Sequence, residues 1–260
     1  MEWYNYFLVV LVGVFAGFLN TLAGSGSIIS LAMLMFMGLP ANVANGTNRI
    51  AILMQNIVGV SSFKKQKVFT FQEGIWLAIP AIIGSVVGAK LAVEINEDIM
   101  EKTIGGLLIF LFFIVLYKPD VWIKGQAGLV RSKPSVMQIL IFFFIGLYGG
   151  FIQAGVGFFL LAGLVLGAGF DLVKANAIKV FIVLLYTPFA LSVFIMNGQV
   201  DYKIGFILAA GNMLGAYIAA NFAVSWGAKF VRYVLLGVIV FASLKFVGVY
   251  EIIGTYFQSI

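Results

Sequence analysis

Apolar residues run along this chain in blocks broken by glycine, serine, asparagine or clustered charge, and the blocks fall into two sets of five. The first set covers residues 6–20, 27–39, 43–63, 71–93 and 100–117; the second covers 136–153, 158–168, 172–196, 202–226 and 230–250. The last three blocks of each set are long enough to cross a bilayer, which takes about 20 helical residues. The first two are not: residues 6–20 predict a helix of roughly 22 Å, against a hydrocarbon layer of about 30 Å. The pattern therefore predicts an all-α, multi-pass membrane protein. Each half would carry a pair of short half-helices followed by three transmembrane helices, with residues 1–117 as the first repeat, 118–134 as a linker and 135–260 as the second.

The two sets are copies of one another. Gly24, Gly26, Gly38, Ala44-Asn45, Gly74, Gly84 and Gly106 recur at Gly155, Gly157, Gly169, Ala175-Asn176, Gly205, Gly215 and Gly237, a constant offset of 131. Gly13 and Gly17 recur at Gly146 and Gly150 with an offset of 133, so the first copy holds two extra residues near its opening turn. Duplication at this scale is a repeat signature. Short, glycine-interrupted apolar segments at matching places in two halves point to a transporter's binding site at the repeat interface.

Composition narrows the chemistry. Only 10% of residues are charged, against about 25% in soluble domains, and the mean hydropathy is +1.10. With no cysteine and no histidine, the chain lacks disulfides, thiolate nucleophiles and the commonest proton shuttle and metal ligand, and no cofactor or metal is expected. Met1-Glu2-Trp3 is not a basic leader, so the first apolar block is expected to remain in the membrane.

Charge sets the expected topology. If each short pair crosses twice or not at all, each half makes an odd number of passes and the repeats are inverted. Lys64, Lys65, Lys67, Lys118, Lys124, Arg131, Lys133, Lys174, Lys179, Lys229 and Arg232 then share one side, 11 of the 16 basic residues. Glu94, Glu97, Asp98 and Glu101 fall opposite. By the positive-inside rule the basic side is cytoplasmic, and both termini are extracytoplasmic. A single crossing per short pair would instead give parallel repeats and leave Lys229 and Arg232 outside. The charged linker, with Gly125 and Gly128 inside and Pro119 and Pro134 at its ends, reads as a cytoplasmic topogenic loop rather than a nucleic-acid site. Trp76, Trp122 and Trp226 lie near expected cytoplasmic segment ends and Trp3 near the other face, as interfacial anchors do.

Candidate chemistry gathers at the two breaks. Asn20-Thr21-Leu22-Ala23-Gly24-Ser25-Gly26-Ser27 and Gln153-Ala154-Gly155-Val156-Gly157 each end one half-helix and begin another. A helix start presents unpaired N–H groups and partial positive charge, and glycine lets a ligand approach the backbone. The alternative is tight helix packing, the role assigned to Gly84-x3-Gly88 and Gly211-x3-Gly215. A second constellation opens the third block of each half: Asn45-Gly46-Thr47-Asn48-Arg49 matches Asn176-Ala177-Ile178-Lys179-Val180, one cation in each copy, shifted by one position. Buried, these cations would face a cavity or partner, Arg49 as a bidentate oxyanion ligand and Lys179 as a point charge; near a helix end they would snorkel to the interface. Gln55, Asn56, Tyr186 and Thr187 are secondary candidates.

The runs G-F-L-N-T-L-A-G-S-G-S and G-L-P-A-N-V-A-N-G-T-N-R, matched by G-F-I-Q-A-G-V-G and V-K-A-N-A-I-K, resemble the sulfite exporter TauE/SafE family of prokaryotic membrane permeases over essentially the whole chain. Where family members often have more glycines after the first break and a proline early in the next helix, Ser27, Ile28, Phe158 and Phe159 stand here. The resemblance implies multi-pass transport of sulfite or organosulfonate across the inner membrane. It places the glycine-rich segments at Gly24 to Ser27 and Gly155 to Gly157, and the motifs after them at Asn45 and Asn176. Expected partners are a small anion and the bilayer, with the chain a monomer or homodimer. A membrane enzyme would need acid–base groups that this composition lacks, and a non-transporting membrane subunit would not need broken helices in both halves.

Overall fold

The computed structural model describes residues 3–94 and 134–246, with side chains for residues 6–94, 134–226, 230 and 233. The expected block at 100–117, the linker up to residue 133, and the acidic loop beyond Glu94 lie outside the described residues. The described residues form eight α-helices: α1 (Trp3–Leu22), α2 (Gly26–Phe36), α3 (Ala41–Lys65), α4 (Phe71–Ala92), α5 (Val136–Phe151), α6 (Val156–Ala162), α7 (Leu172–Met196) and α8 (Tyr202–Phe246). A π-helical turn, Gly163–Gly167, continues α6. The duplication pairs α1 with α5, α2 with α6, α3 with α7 and α4 with α8.

Among the described residues three stretches are apolar and long enough to span a membrane: Phe71–Ala92, Leu172–Met196 and Tyr202–Trp226. At 25 residues α3 is also long enough, about 37 Å. Its hydropathy is diluted by Asn45, Thr47, Asn48, Arg49, Gln55 and Asn56, all buried against protein rather than lipid. Outward-facing Phe15, Phe36, Ile83, Phe144, Phe189 and Phe206 form the apolar exterior of a membrane protein.

The short segments are hairpins that return to the side they came from. At the mouth of the second, Gln138 Nε2, in the first turn of α5, donates to Gly167 O at the end of the π turn, 2.9 Å away. In the first, Val9 of α1 shares a hydrophobic cluster with Met33 and Leu34 near the end of α2. Tyr6 lies beside Lys203 at the start of α8, whereas Asn20 reaches Gln55, midway along α3. Each hairpin thus enters the molecule and stops at mid-depth.

The register of α3 against α7 establishes the inversion. Gly46, early in α3, packs on Phe194, late in α7, and Gly59, late in α3, packs on Val180, early in α7. Equivalent helices therefore run antiparallel, so the repeats are inverted. They are also interleaved. α1 lies parallel to α8, with Gly211 and Gly215 against the carbonyls of Val10 and Val14; equivalently α5 lies parallel to α4, with Gly84 and Gly88 against those of Phe143 and Leu147. Each hairpin thus packs on the fourth helix of the opposite repeat through the close backbone approach that small residues permit.

Two boundaries differ from the sequence pattern. The two segments expected at 202–226 and 230–250 are joined in α8. A lone Gly227 with no proline nearby costs a helix only about 1 kcal/mol, too little to end it. The first half-helix runs to Leu22 rather than Asn20, because the two extra residues of the first copy continue the helix and bury Leu22 completely.

Candidate functional site

Both hairpins turn on a left-handed glycine, Gly24 at φ 79° and Gly155 at φ 73°, which are repeat equivalents. The tips meet: a Cβ on Gly24 would collide with the Gly157 backbone, and one on Gly157 with Gly24. At the first tip, Ala23 N and Gly24 N still donate to Leu19 O and Asn20 O before α2 restarts at Gly26. Gly26 packs on Ala16 and Asn20 of α1 and closes that hairpin.

Around the tips the polar side chains obey the repeat. Asn20 Nδ2 donates to Ser27 Oγ at 3.2 Å and to Gln55 Oε1 at 3.4 Å. Its counterpart Gln153 donates through Nε2 to Tyr186 OH, the counterpart of Gln55, at 3.1 Å.

The cations do the same across the twofold relation. Lys179 on α7 donates to Asn20 O (2.9 Å), Thr21 O (2.8 Å) and Asn176 Oδ1 (2.6 Å). Arg49 on α3 donates to Gly149 O (3.1 Å) and Gly150 O (2.6 Å), to Gln153 Oε1 (3.3 Å) and to Asn45 Oδ1 (3.4 Å). Each repeat's cation thus caps the final carbonyls of the other repeat's first half-helix, where its dipole is negative. Asn45 and Asn176, one turn before each cation, steady it, and Asn45 Nδ2 also donates to Phe151 O at 2.9 Å.

Neither cation snorkels: Arg49 is 0% and Lys179 2% exposed. Among the described residues neither touches a carboxylate. Glu73, Glu94, Asp171 and Asp201 all lie at helix ends, and Glu73 pairs with Lys174 at 2.6 Å at the rim. Two positive charges therefore stand at mid-depth on neutral acceptors alone, leaving a positive potential that low-dielectric surroundings do not screen.

A narrow cavity of about 10 Å³, room for about one water, lies between the tips, lined by Asn20, Gly24, Gln55 and Asn56 from the first repeat and by Gln153, Val156, Gly157, Lys179 and Val183 from the second. A family model described as sulfite exporter TauE/SafE matches residues 9–246. The chain belongs to that family. A probable membrane transporter protein of Sinorhizobium is 29% identical over 221 residues, covering 85% of this chain and 84% of its own length. Proteins of the same description from Haemophilus influenzae and Escherichia coli are 26% and 27% identical, each over 85% of this chain and over 86% and 81% of their own lengths. No solved structure matches the chain.

In this TauE/SafE chain the residues singled out by sequence divide by position. Asn20, Gly24, Gln153, Gly157 and Lys179 line the cavity. Thr21, Asn45, Arg49 and Asn176 hold the tips from behind, and Gly155 makes the second turn. Ser25 is buried at the first tip with its Oγ unpaired. Ser27 accepts from Asn20, and Asn48 accepts from Ser30 Oγ at 2.7 Å, tying α2 to α3. Of the secondary candidates, Gln55 and Asn56 reach the cavity; Tyr186 backs Gln153, and Thr187 donates to its own helix at Val183 O. Asn212 went unnoticed. Fully buried on α8, it donates to Gln55 Oε1 at 3.1 Å. A lone amide in an apolar run was its signal, the same one that marks Gln55.

Proposed function

We propose that this permease exports small sulfur oxyanions, sulfite or an organosulfonate, across the inner membrane, holding the anion between the two hairpin tips. The observation that carries the reading is the pair of buried cations at mid-depth with no carboxylate partner among the described residues, beside a small cavity shared by both repeats. Gln55 adds a donor: both hydrogen bonds it receives fall on Oε1, leaving Nε2 for a bound oxygen. The backbone at Gly24 and Gly157 lines the same space, open to close approach. The family described as sulfite exporters supplies the substrate class.

Opening to alternate sides follows from the architecture: one repeat rocks against its inverted mate around a site that stays between them. Each exported negative charge gains about 2.3 kcal/mol per 100 mV of inside-negative potential, so export proceeds without a coupling ion. Orientation follows from Lys64, Lys65, Lys67 and Lys174 on one face, which we assign to the cytoplasm. Efflux of radiolabelled sulfite from vesicles clamped at different potentials tests the reading. Protein-dependent efflux that rises as the interior becomes more negative supports it, and efflux indifferent to potential rejects uncoupled export.

A further inference from the structure

The two cations stand one position apart in the repeat register and are not equivalent devices. Arg49 spends both terminal nitrogens on four acceptors, and its guanidinium carbon lies 4.5 Å from the centre of the Phe194 ring. It does not line the cavity. Lys179 does, and its three oxygen acceptors at 2.6–2.9 Å use every N–H of an ammonium. An anion entering beside Lys179 therefore meets a charge whose donors are already committed to neutral oxygens. An anionic oxygen attracts an ammonium more strongly than a neutral carbonyl does, by the Coulomb interaction of two full charges, and a flexible four-carbon stem re-aims more readily than a stacked planar fork.

We propose that Lys179 is an exchangeable latch: the bound anion takes its ammonium away from Asn20 O and Thr21 O and frees the α1 tip, while Arg49 stays a fixed clamp on the α5 tip. The proposal rests on the anion-permease reading above and assigns Lys179 the role of a positioning residue that reports occupancy to one hairpin. Two buried groups beside the latch stand ready for the rearrangement. Asn176 Nδ2 and Thr21 Oγ1 are both enclosed and unpaired, the first a donor for the anion and the second a donor for the carbonyls Lys179 vacates. The asymmetry has a physical consequence: occupancy loosens one repeat's hairpin and leaves the other's in place, which gives rocking a direction.

Hydrogen–deuterium exchange on the purified full chain tests this, with sulfite and methanesulfonate as probes, chloride as control, and thermal stabilisation read in parallel. An anion that stabilises the protein is expected to speed exchange several-fold across residues 19–25, whose tip amides on Ala23 and Gly24 bond to Leu19 O and Asn20 O, and to leave residues 148–154 unchanged. Lys179→Arg, which keeps the charge but adds donors, is expected to bind the anion without that acceleration. Lys179→Gln is expected to exchange fast at residues 19–25 with or without anion. Stabilisation with unchanged or slowed exchange at residues 19–25 would overturn the latch and leave the permease reading standing. No stabilisation by either probe would remove both.

Discussion

Gly24 and Gly157 are the residues on which the meeting of the hairpins depends, because their backbones occupy the space a side chain would need. Gly24 also holds a left-handed backbone, which costs other residues roughly 1–2 kcal/mol. Gly38 is left-handed too, at φ 89°, but nothing lies within 4 Å of where its Cβ would be. Gly24→Ala is therefore expected to lower the thermal midpoint of the purified protein well beyond Gly38→Ala, which carries the backbone strain alone. Equal shifts would mean that the tips do not touch. Part of this was legible: Arg49 and Lys179 stand out as cations in apolar runs. Their partners did not, since Gly149 O, Gly150 O, Asn20 O and Thr21 O are backbone carbonyls, alike at every position until the fold decides which ones a cation reaches.

Among elements, the antiparallel register of α3 and α7 decides that the repeats are inverted. The chain's lack of cysteine makes that register measurable. A Cβ on Gly59 would come within 2.8 Å of Val180 Cγ1, so the pair Gly59→Cys and Val180→Cys is expected to cross-link under mild oxidation. Gly59→Cys with Phe194→Cys, which lies toward the opposite end of α7 from Val180, is expected not to. The reverse result would describe parallel repeats. Segment lengths and the duplicated glycines made the broken helices and their pairing visible in sequence. Whether a short pair re-enters or crosses was not visible, because it depends on contacts such as Gln138 with Gly167 that join distant residues. The run through Gly227 was missed for a local reason: a solitary glycine weakens a helix without ending it.

At the scale of the whole molecule, inversion places the α3–α4 turn and the α7–α8 turn on opposite faces. Gln66→Cys is expected to react with a membrane-impermeant maleimide from the cytoplasmic side and Asn197→Cys from the outside, in intact cells against inverted vesicles. Labelling of both from one side would contradict the topology. What this topology accomplishes is to carry two mid-chain cations to the centre of the protein, each holding the other repeat's hairpin, with the cavity between them. Saturable binding of radiolabelled sulfite to the purified protein tests that site most directly, compared between the unaltered chain, Gln55→Leu and Lys179→Gln. The account predicts saturable binding by the unaltered chain and markedly weaker binding by each variant. Binding that is absent from the unaltered chain, or undiminished in both variants, would contradict it.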